Sequence, residues 1–322
     1  MNSVTFHSSL AGPLAAFVRY KQALNRKYKT EAMALRLLDR YLSEHNVEGW
    51  RSIDTALVEE FLASRPRLQP RSYNDMLGVL HLFFGWAVTQ RFIQVNPETG
   101  IPRRATTKRI PYILGLAEVR RLLSLALALP DNCGTVGRGL VYETIFALLY
   151  GLGLRVGEVI RLTVGDVDLA RDILFIRHTK FNKDRMVPMG PRLATRFRSY
   201  LEQINRRMEQ PEVPVFSLMR GHPIHPATIS GVFHRLVPKL QLHLPPGVAA
   251  PRLHDLRHAF AVSTLLRWYR EGINPNCRLM HLAVFMGHVD PNATAVYLTI
   301  TDDLLREADQ RFRALAPKGG AE

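Results

Sequence analysis

The stretch GLGLRVGEVIRL, residues 151–162, puts an arginine at the junction between a glycine-rich turn and an amphipathic helix. Arg155 opens this helix, and a guanidinium in that position can donate to two phosphate oxygens at once. Glu158 lies three residues later on the same helical face, where its carboxylate can support the guanidinium. A surface Arg–Glu pair has the same spacing, so this stretch indicates a site only together with residues elsewhere in the chain.

Two short motifs toward the C-terminus supply histidines, an arginine and a tyrosine. In HDLRH, His254 and Arg257 share a helical face, and His258 lies close to it. In MGH, His288 follows a glycine at a predicted helix end, and Tyr297 lies nine residues later in the helical segment around AVYL. Taken singly, each of these side chains also fits an ordinary core or helix start.

Between these motifs, the segment RDILFIRHTKFNKDRMVPM at 171–189 predicts two β-strands joined by a polar turn. Lys180 and Lys183 flank the turn and Arg185 follows it, so a basic side chain here could swing into a nearby site. Exposed turn lysines are common, and this element is not specific by itself. The aspartates in the adjoining GDVDLARD fit a turn better than a metal site.

The first hundred residues carry apolar side chains at helical spacing, and the pattern VNPETGIPRR then breaks regular structure. Helices are predicted near 10–25, 31–45, 54–64 and 71–90, and later near 116–129, 138–152, 191–208, 254–271, 278–286 and 292–300. We expect an N-terminal helical domain over 1–103, a linker over 104–113 and a second domain over 114–322.

The linker region is rich in basic side chains, which could contact phosphates or form a solvated loop. They are Arg103, Arg104, Lys108 and Arg109.

Composition narrows the class of partner. The 322 residues include 43 Lys and Arg against 28 Asp and Glu, a formal net charge of +15, which favours a polyanion. No apolar run approaches the length of a membrane span and the N-terminus lacks a signal pattern, so we expect nucleic acid rather than a membrane. The two cysteines lack metal-site spacing and fit a reducing cytoplasm.

Taken together, these motifs resemble the tyrosine recombinase (phage integrase) family, which uses two arginines, a hairpin lysine, two histidines and a tyrosine nucleophile. The resemblance covers about 114–314. It implies a mainly α fold with a small β-sheet, in which an N-terminal helical core-binding domain precedes an α+β catalytic domain. The stretch REGINPNCRLMHLAVF looks closer to recombinases of insertion elements and transposons. The positions that match the family's catalytic residues are Arg155, Lys180, His254, Arg257, His288 and Tyr297.

The resemblance implies a reaction in which Tyr297 attacks a phosphodiester and forms a 3′-phosphotyrosine. Arg155 and Arg257 would neutralise the charge on the phosphate, and His288 would hydrogen-bond it. His254 would accept or relay a proton, and Lys180 would protonate the departing 5′ oxygen. Because these cations can replace the charge of a metal ion, we expect no cofactor and no metal.

The expected partner is duplex DNA carrying specific recombination sites, bound by a tetrameric synaptic complex. Two other functions use the same scaffold: relaxation of DNA by a type IB topoisomerase, and DNA binding by a regulator without enzymatic activity. The segment DDLLREADQRFRAL at 302–315 predicts an amphipathic helix. This helix could dock on a neighbouring protomer or fold onto its own domain.

Overall fold

The chain divides into two compact units, Met1–Lys108 and Arg109–Glu322. The computed structural model describes residues 5–104, 109–132, 135, 137–177, 184–204, 210–219, 222–288, 290, 292–299 and 306. The predicted helix over 302–315, apart from residue 306, and both hairpin lysines lie outside the described residues. In the described part of the chain, no helix is both long enough and apolar enough to cross a bilayer.

The first unit is a helical bundle. Its helices are α1 (Ala11–Ala23), α2 (Lys29–Glu44), α3 (Thr55–Ala63) and α4 (Pro70–Thr89). Asp54 caps α3, because its side chain accepts a hydrogen bond from the Leu57 backbone N–H at 2.8 Å. Phe83 of α4 lies fully buried with its ring centroid 5.5 Å from that of Phe17, so aromatic packing joins α4 to α1.

The second unit combines helices with two small antiparallel sheets. Its helices are α5 (Leu116–Leu127), α6 (Arg138–Gly151), α7 (Val156–Val159), α8 (Pro191–Ile204), α9 (Pro226–Leu236), α10 (Asp255–Arg270), α11 (Pro275–Met286) and α12 (Asn292–Ala295). Its strands are β1 (Val167–Asp168), β2 (Ile173–Ile176), β3 (Arg185–Pro188), β4 (Ser217–Met219) and β5 (His222–Pro223). The predicted fold class, mainly α with a small β-sheet, is confirmed.

Helix α6 is the centre of this unit. Its residues from Val141 to Leu149 are all buried, so it shows no amphipathic stripe and instead packs against α5, α8 and α10. The chain leaving α6 turns at Gly153, and Arg155 is the N-cap residue directly before α7. The rigid core therefore fixes the start of α7 relative to α10.

The three-stranded sheet has the order β1-β2-β3, and the two predicted strands at 171–189 correspond to β2 and β3. Leu174 pairs with Val187 and both are fully buried, whereas Ile176 pairs with Arg185 at the end of the ladder. Strand β3 thereby begins with an arginine that points toward α7 and α11 rather than into solvent.

Candidate active site

The C-terminal end of α11 collects three arginine side chains. The backbone carbonyl of Phe285 accepts a hydrogen bond from Arg185 Nε at 2.9 Å, and that of Met286 accepts one from Arg257 Nη2 at 2.7 Å. The carbonyl of Gly287 accepts one from Arg155 Nη2 at 2.9 Å. A helix end leaves its last carbonyls without partners and carries partial negative charge, so it attracts and orients cations.

Gly287 makes this arrangement possible. It ends α11 in the left-handed region at φ 67°, where glycine carries no steric penalty. A Cβ atom built on Gly287 would lie 2.7 Å from Arg185 Nη1. The predicted helix end before His288 thus serves to turn carbonyl oxygens toward the arginines.

Glu158 connects two of these arginines. Its carboxylate accepts hydrogen bonds from the Arg155 backbone N–H at 2.9 Å and from Arg155 Nη1 at 2.8 Å. It also accepts from Arg185 Nη1 and Nη2 at 3.0 and 2.9 Å, a bidentate pair. Burial alone would raise the pKa of Glu158, but Arg185 and Arg155 together lower it to about 2. The prediction that Glu158 supports Arg155 is confirmed, and the alternative of a surface pair is wrong because Glu158 is buried.

Arg257 is held from two directions. It is 1% exposed, and its Nη1 donates to the Gly153 carbonyl while Nη2 donates to Met286. Gly153 has φ +60°, and a Cβ there would lie 2.3 Å from the Phe260 ring. The glycine-rich turn before Arg155 therefore also provides an anchor for the second arginine.

Tyr297 lies in a short 3₁₀ turn, Val296–Thr299, directly after α12. The tyrosine is 4% exposed, and its hydroxyl is 2.8 Å from His258 Nδ1. Burial raises the pKa of Tyr297, and the charges of Arg257 and Arg155 act against that rise. In this arrangement the phenol is protonated near neutral pH and can donate its proton to the imidazole.

His288 lies beside the tyrosine. The two rings are nearly parallel, with an interplanar angle of 17° and centroids 6.4 Å apart, and His288 Nδ1 is 2.6 Å from Thr294 Oγ1. Burial, followed by the charges of Arg257 and Arg155, lowers the pKa of His288 to about 4. His288 is therefore neutral at pH 7 and can donate one N–H to a phosphate.

His254 precedes α10 and is exposed, with its ring perpendicular to that of His258 at a centroid distance of 4.8 Å. The surrounding protein removes part of its hydration and His258 and Arg257 lie close by, so the pKa of His254 is lowered. The sequence places His258 near the same helical face as His254 and Arg257 but does not by itself give it a role in the site. The second histidine of HDLRH was the signal that could have identified it.

The remaining predicted DNA contacts fall in different settings. Arg185 has a largely buried side chain that is engaged by Glu158, and Arg109 forms an ion pair with buried Asp255 at 3.1 Å. Arg103 stacks on Tyr73, with 3.9 Å between its guanidinium carbon and the ring centroid, and Arg104 is exposed. The predicted lysines Lys108, Lys180 and Lys183 lie outside the described residues. Within the described ranges, no group of three or more His, Cys, Asp or Glu side chains is arranged to hold a metal ion.

Comparison with known proteins gives consistent results. The sequence model of the phage integrase family matches residues 118–303. The protein y4rB of Sinorhizobium fredii, named an integrase/recombinase, is 35% identical over 257 residues, which cover 78% of this chain and 81% of y4rB. Tyrosine recombinase XerC of Bacillus licheniformis is 25% identical, with 95% of this chain and 97% of XerC covered.

The fold has solved counterparts. A structure of the Tn1549 transposon integrase with a circular intermediate DNA superimposes with a TM-score of 0.65 at 22% identity, covering 94% of this chain and 99% of that one. This likeness establishes a shared fold. The chain therefore belongs to the phage integrase family and is a tyrosine recombinase, an enzyme that cleaves and rejoins DNA.

Proposed function

We propose that Tyr297 is the nucleophile of a site-specific recombinase that cleaves duplex DNA through a 3′-phosphotyrosine. The observation that carries this proposal is the convergence of Arg155, Arg257, His288 and Tyr297 at the end of α11. These residues lie far apart in the sequence, yet the described contacts bring them around one helix end. To bind a phosphate there, the two arginines must use N–H groups other than those that donate to the backbone carbonyls.

The two arginines suit binding of the non-bridging phosphate oxygens. Each directs Nη groups to fixed carbonyl acceptors, so its guanidinium plane is held before any substrate arrives. Preorganised donors of this kind stabilise charge that grows in a transition state without a reorganisation cost. His288, neutral at pH 7, would add a further hydrogen bond to the same phosphate.

Proton transfers complete the reaction. The phenol must lose its proton as the tyrosine oxygen bonds to phosphorus, and the departing 5′ oxygen must gain one. We assign the second transfer to Lys180, on the strength of its position in the hairpin sequence, and leave His254 as a relay at the exposed edge of the site. Rejoining runs in reverse: the 5′-hydroxyl attacks the phosphotyrosine and needs no external energy source.

Recombination between two duplexes exchanges strands at two sites, so four chains would act together. The tetramer belongs to the proposal, as does docking of the segment 302–315 on a neighbouring protomer. We also propose the reducing cytoplasm as the compartment, since Cys277 is an exposed free thiol. The relatives support transposon or integrase chemistry, because one is named an integrase/recombinase and another is a transposon integrase.

The test begins with the DNA site. Sheared genomic DNA from the source organism is incubated with the full chain, and DNA fragments linked covalently to protein are recovered with detergent and sequenced. A supercoiled plasmid that carries two copies of the recovered site should yield recombinant circles. Equal relaxation of plasmids with and without the site, with no recombinants, would overturn site-specific recombination.

A further inference from the structure

His258 is the histidine whose ring contacts the tyrosine oxygen in the described residues. Its Nδ1 lies 2.8 Å from Tyr297 Oη, a normal hydrogen-bond length. The two rings are 5.4 Å apart between centroids and inclined at 55°, so the contact is an edge contact through the polar atoms. The resemblance to the family gives His258 no role and makes His254 the proton acceptor. Among the described residues, however, the hydrogen bond to the tyrosine oxygen comes from His258, and no described contact joins His254 to that oxygen.

Asp255 places a negative charge near the second ring nitrogen of this histidine. Its carboxylate oxygen Oδ1 is 4.0 Å from His258 Nε2, on the side of the ring opposite the tyrosine. Asp255 is fully buried and is fixed by Arg109 Nη1 at 3.1 Å and by the Arg252 backbone N–H at 2.9 Å. A negative charge on the Nε2 side favours the tautomer with hydrogen on Nε2, which leaves the Nδ1 lone pair facing the phenol.

The charge state of His258 also suits a proton acceptor. Asp255 faces the ring and favours its protonated form. Three arginines near the ring disfavour that form, and the His254 ring packs against it; the arginines are Arg252, Arg257 and Arg109. Burial is the largest influence, and with the arginines it lowers the pKa of His258 despite Asp255. The imidazole is therefore neutral at pH 7 and has a lone pair available.

We infer that His258 is the general base of the cleavage step, taking the phenolic proton of Tyr297 directly on Nδ1 with Asp255 as its orienting partner. As the proton moves to Nδ1, the tyrosine oxygen bonds to phosphorus and the bond from phosphorus to the 5′ oxygen breaks, while the 5′ oxygen takes a proton from the general acid, proposed above to be Lys180. In rejoining, the tyrosine oxygen leaves phosphorus and recovers the same proton from Nδ1. This inference rests on the proposed role of Tyr297 as nucleophile.

The assignment keeps the base and the acid on separate residues: His258 lies beside the phenol, and the acid is Lys180, as proposed above. His258 is partly buried against the nucleophile, whereas His254 is exposed. A base beside the phenol and an acid beside the departing oxygen need opposite protonation states at the same pH. Placing them on separate residues satisfies both requirements.

The test uses single-turnover cleavage of a nicked duplex that carries the recovered site, with the full chain. His258→Asn keeps a polar atom near the Nδ1 position without a basic nitrogen, and His258→Ala removes both. We expect both variants to bind the duplex and melt close to the wild type but to cleave about 100-fold more slowly at pH 7, the usual contribution of a general base. Their rates should rise toward the wild-type rate as pH increases to 9, because hydroxide can replace the missing base.

Two controls make the result specific. His281→Asn, at an exposed position of α11, should cleave like the wild type. In a second control, sulfur replaces the bridging 5′ oxygen of the duplex, so the leaving group departs without a proton from an acid. Cleavage of this duplex by His258→Asn should remain slow, whereas a variant that lacks the general acid should cleave it at a restored rate.

Cleavage by His258→Asn within threefold of the wild type at pH 7, or above it, would overturn the inference, as would restoration of that variant by the bridging sulfur. Tyr297→Phe separates this failure from failure of the proposed function. If Tyr297→Phe still forms an adduct, Tyr297 is not the nucleophile and the proposed function fails. If Tyr297→Phe forms no adduct but His258→Asn cleaves rapidly, only the assignment of His258 as general base fails.

Discussion

Glu158 shows how a single buried carboxylate can hold two cations in place. The positively charged side chains of Arg155 and Arg185 both lie at the C-terminal end of α11. The Glu158 carboxylate lies between them and offsets their repulsion. Arg185 is itself only 10% exposed, so it cannot turn to water if Glu158 is neutralised. The sequence suggested Arg185 as a DNA contact, whereas its hydrogen bonds suit a residue that positions Arg155.

Glu158→Gln should therefore reduce the free energy of unfolding by about 3 kcal/mol, because an uncompensated guanidinium stays buried. Chemical denaturation of the variant and the wild type at pH 7 measures the difference. Glu202→Gln, at an exposed position of α8, is the matched control and should change little. A loss below about 0.5 kcal/mol for Glu158→Gln, the range of ordinary surface changes, would contradict the buried network.

His288 gives the protein a pH-dependent stability with a predictable sign. Its pKa in the folded state is about 4, below the ordinary value of 6.5. The unfolded chain therefore binds a proton at a higher pH than the folded chain does. Stability from this group is fully present above pH 6.5 and is lost as the pH falls toward 4.

His288→Asn should flatten the fall in melting temperature between pH 6.5 and 4 without abolishing it, because His254 contributes in the same direction. Melting curves across that range check the expectation. His281→Asn should keep the wild-type slope, since His281 is exposed. An unchanged slope in His288→Asn would mean that its imidazole is not held neutral by the site.

At the scale of elements, the end of α11 is the feature on which the site depends. Gly287→Ala should destabilise the protein by about 1–2 kcal/mol, the cost of a left-handed residue with a Cβ. It should also slow cleavage, because the new Cβ displaces Arg185 and shifts the carbonyl that anchors Arg155. Denaturation and single-turnover cleavage measure the two effects.

Gly231→Ala in α9 is the matched control for that substitution. No atom lies within 4 Å of a Cβ built there, and alanine favours the helix by about 1 kcal/mol over glycine. The control should fold at least as well as the wild type and cleave at the same rate. Equal behaviour of the two glycine variants would contradict a special role for the end of α11.

Long periodic elements could be predicted from the sequence, and short ones could not. The four N-terminal helices, α5 and α10 lie within a few residues of the predicted spans because each carries two or more turns of apolar spacing, and α6 does so because it is a long, largely apolar segment. Helix α9 and the strands β4 and β5 were not predicted. The strands have two or three residues each, too few for alternation to show, and α9 follows a proline-rich stretch.

The residues of the site could be predicted from the sequence, but the contacts between them could not. The order of the motifs along the chain and their resemblance to the family identified Arg257 and His288, whereas helical spacing showed only which side chains of HDLRH share a face. It could not show that Arg185 joins Glu158 or that His258 reaches Tyr297, because these contacts cross between elements. The first contact joins β3 to α7, and the second joins α10 to the 3₁₀ turn after α12.

For the whole molecule, the net charge of +15 predicts binding to DNA that depends strongly on salt. With 6–10 phosphate contacts, affinity should fall roughly 10³–10⁵-fold between 50 and 200 mM salt. Arg104→Gln should reduce the slope of log affinity against log salt by about 1, if its exposed guanidinium contacts a phosphate. Fluorescence anisotropy with a labelled duplex measures both, and a flat salt dependence would contradict a phosphate-dominated interface.

The identity of the nucleophile is tested most directly by mass spectrometry of the covalent adduct. Trypsin should release the peptide from Leu279 to Arg306, in which Tyr297 is the only tyrosine. After nuclease digestion we expect a nucleotide joined through its 3′ phosphate to Tyr297, and no adduct from Tyr297→Phe although that variant still binds DNA. A nucleotide on any other residue, or an adduct formed by Tyr297→Phe, would contradict the account.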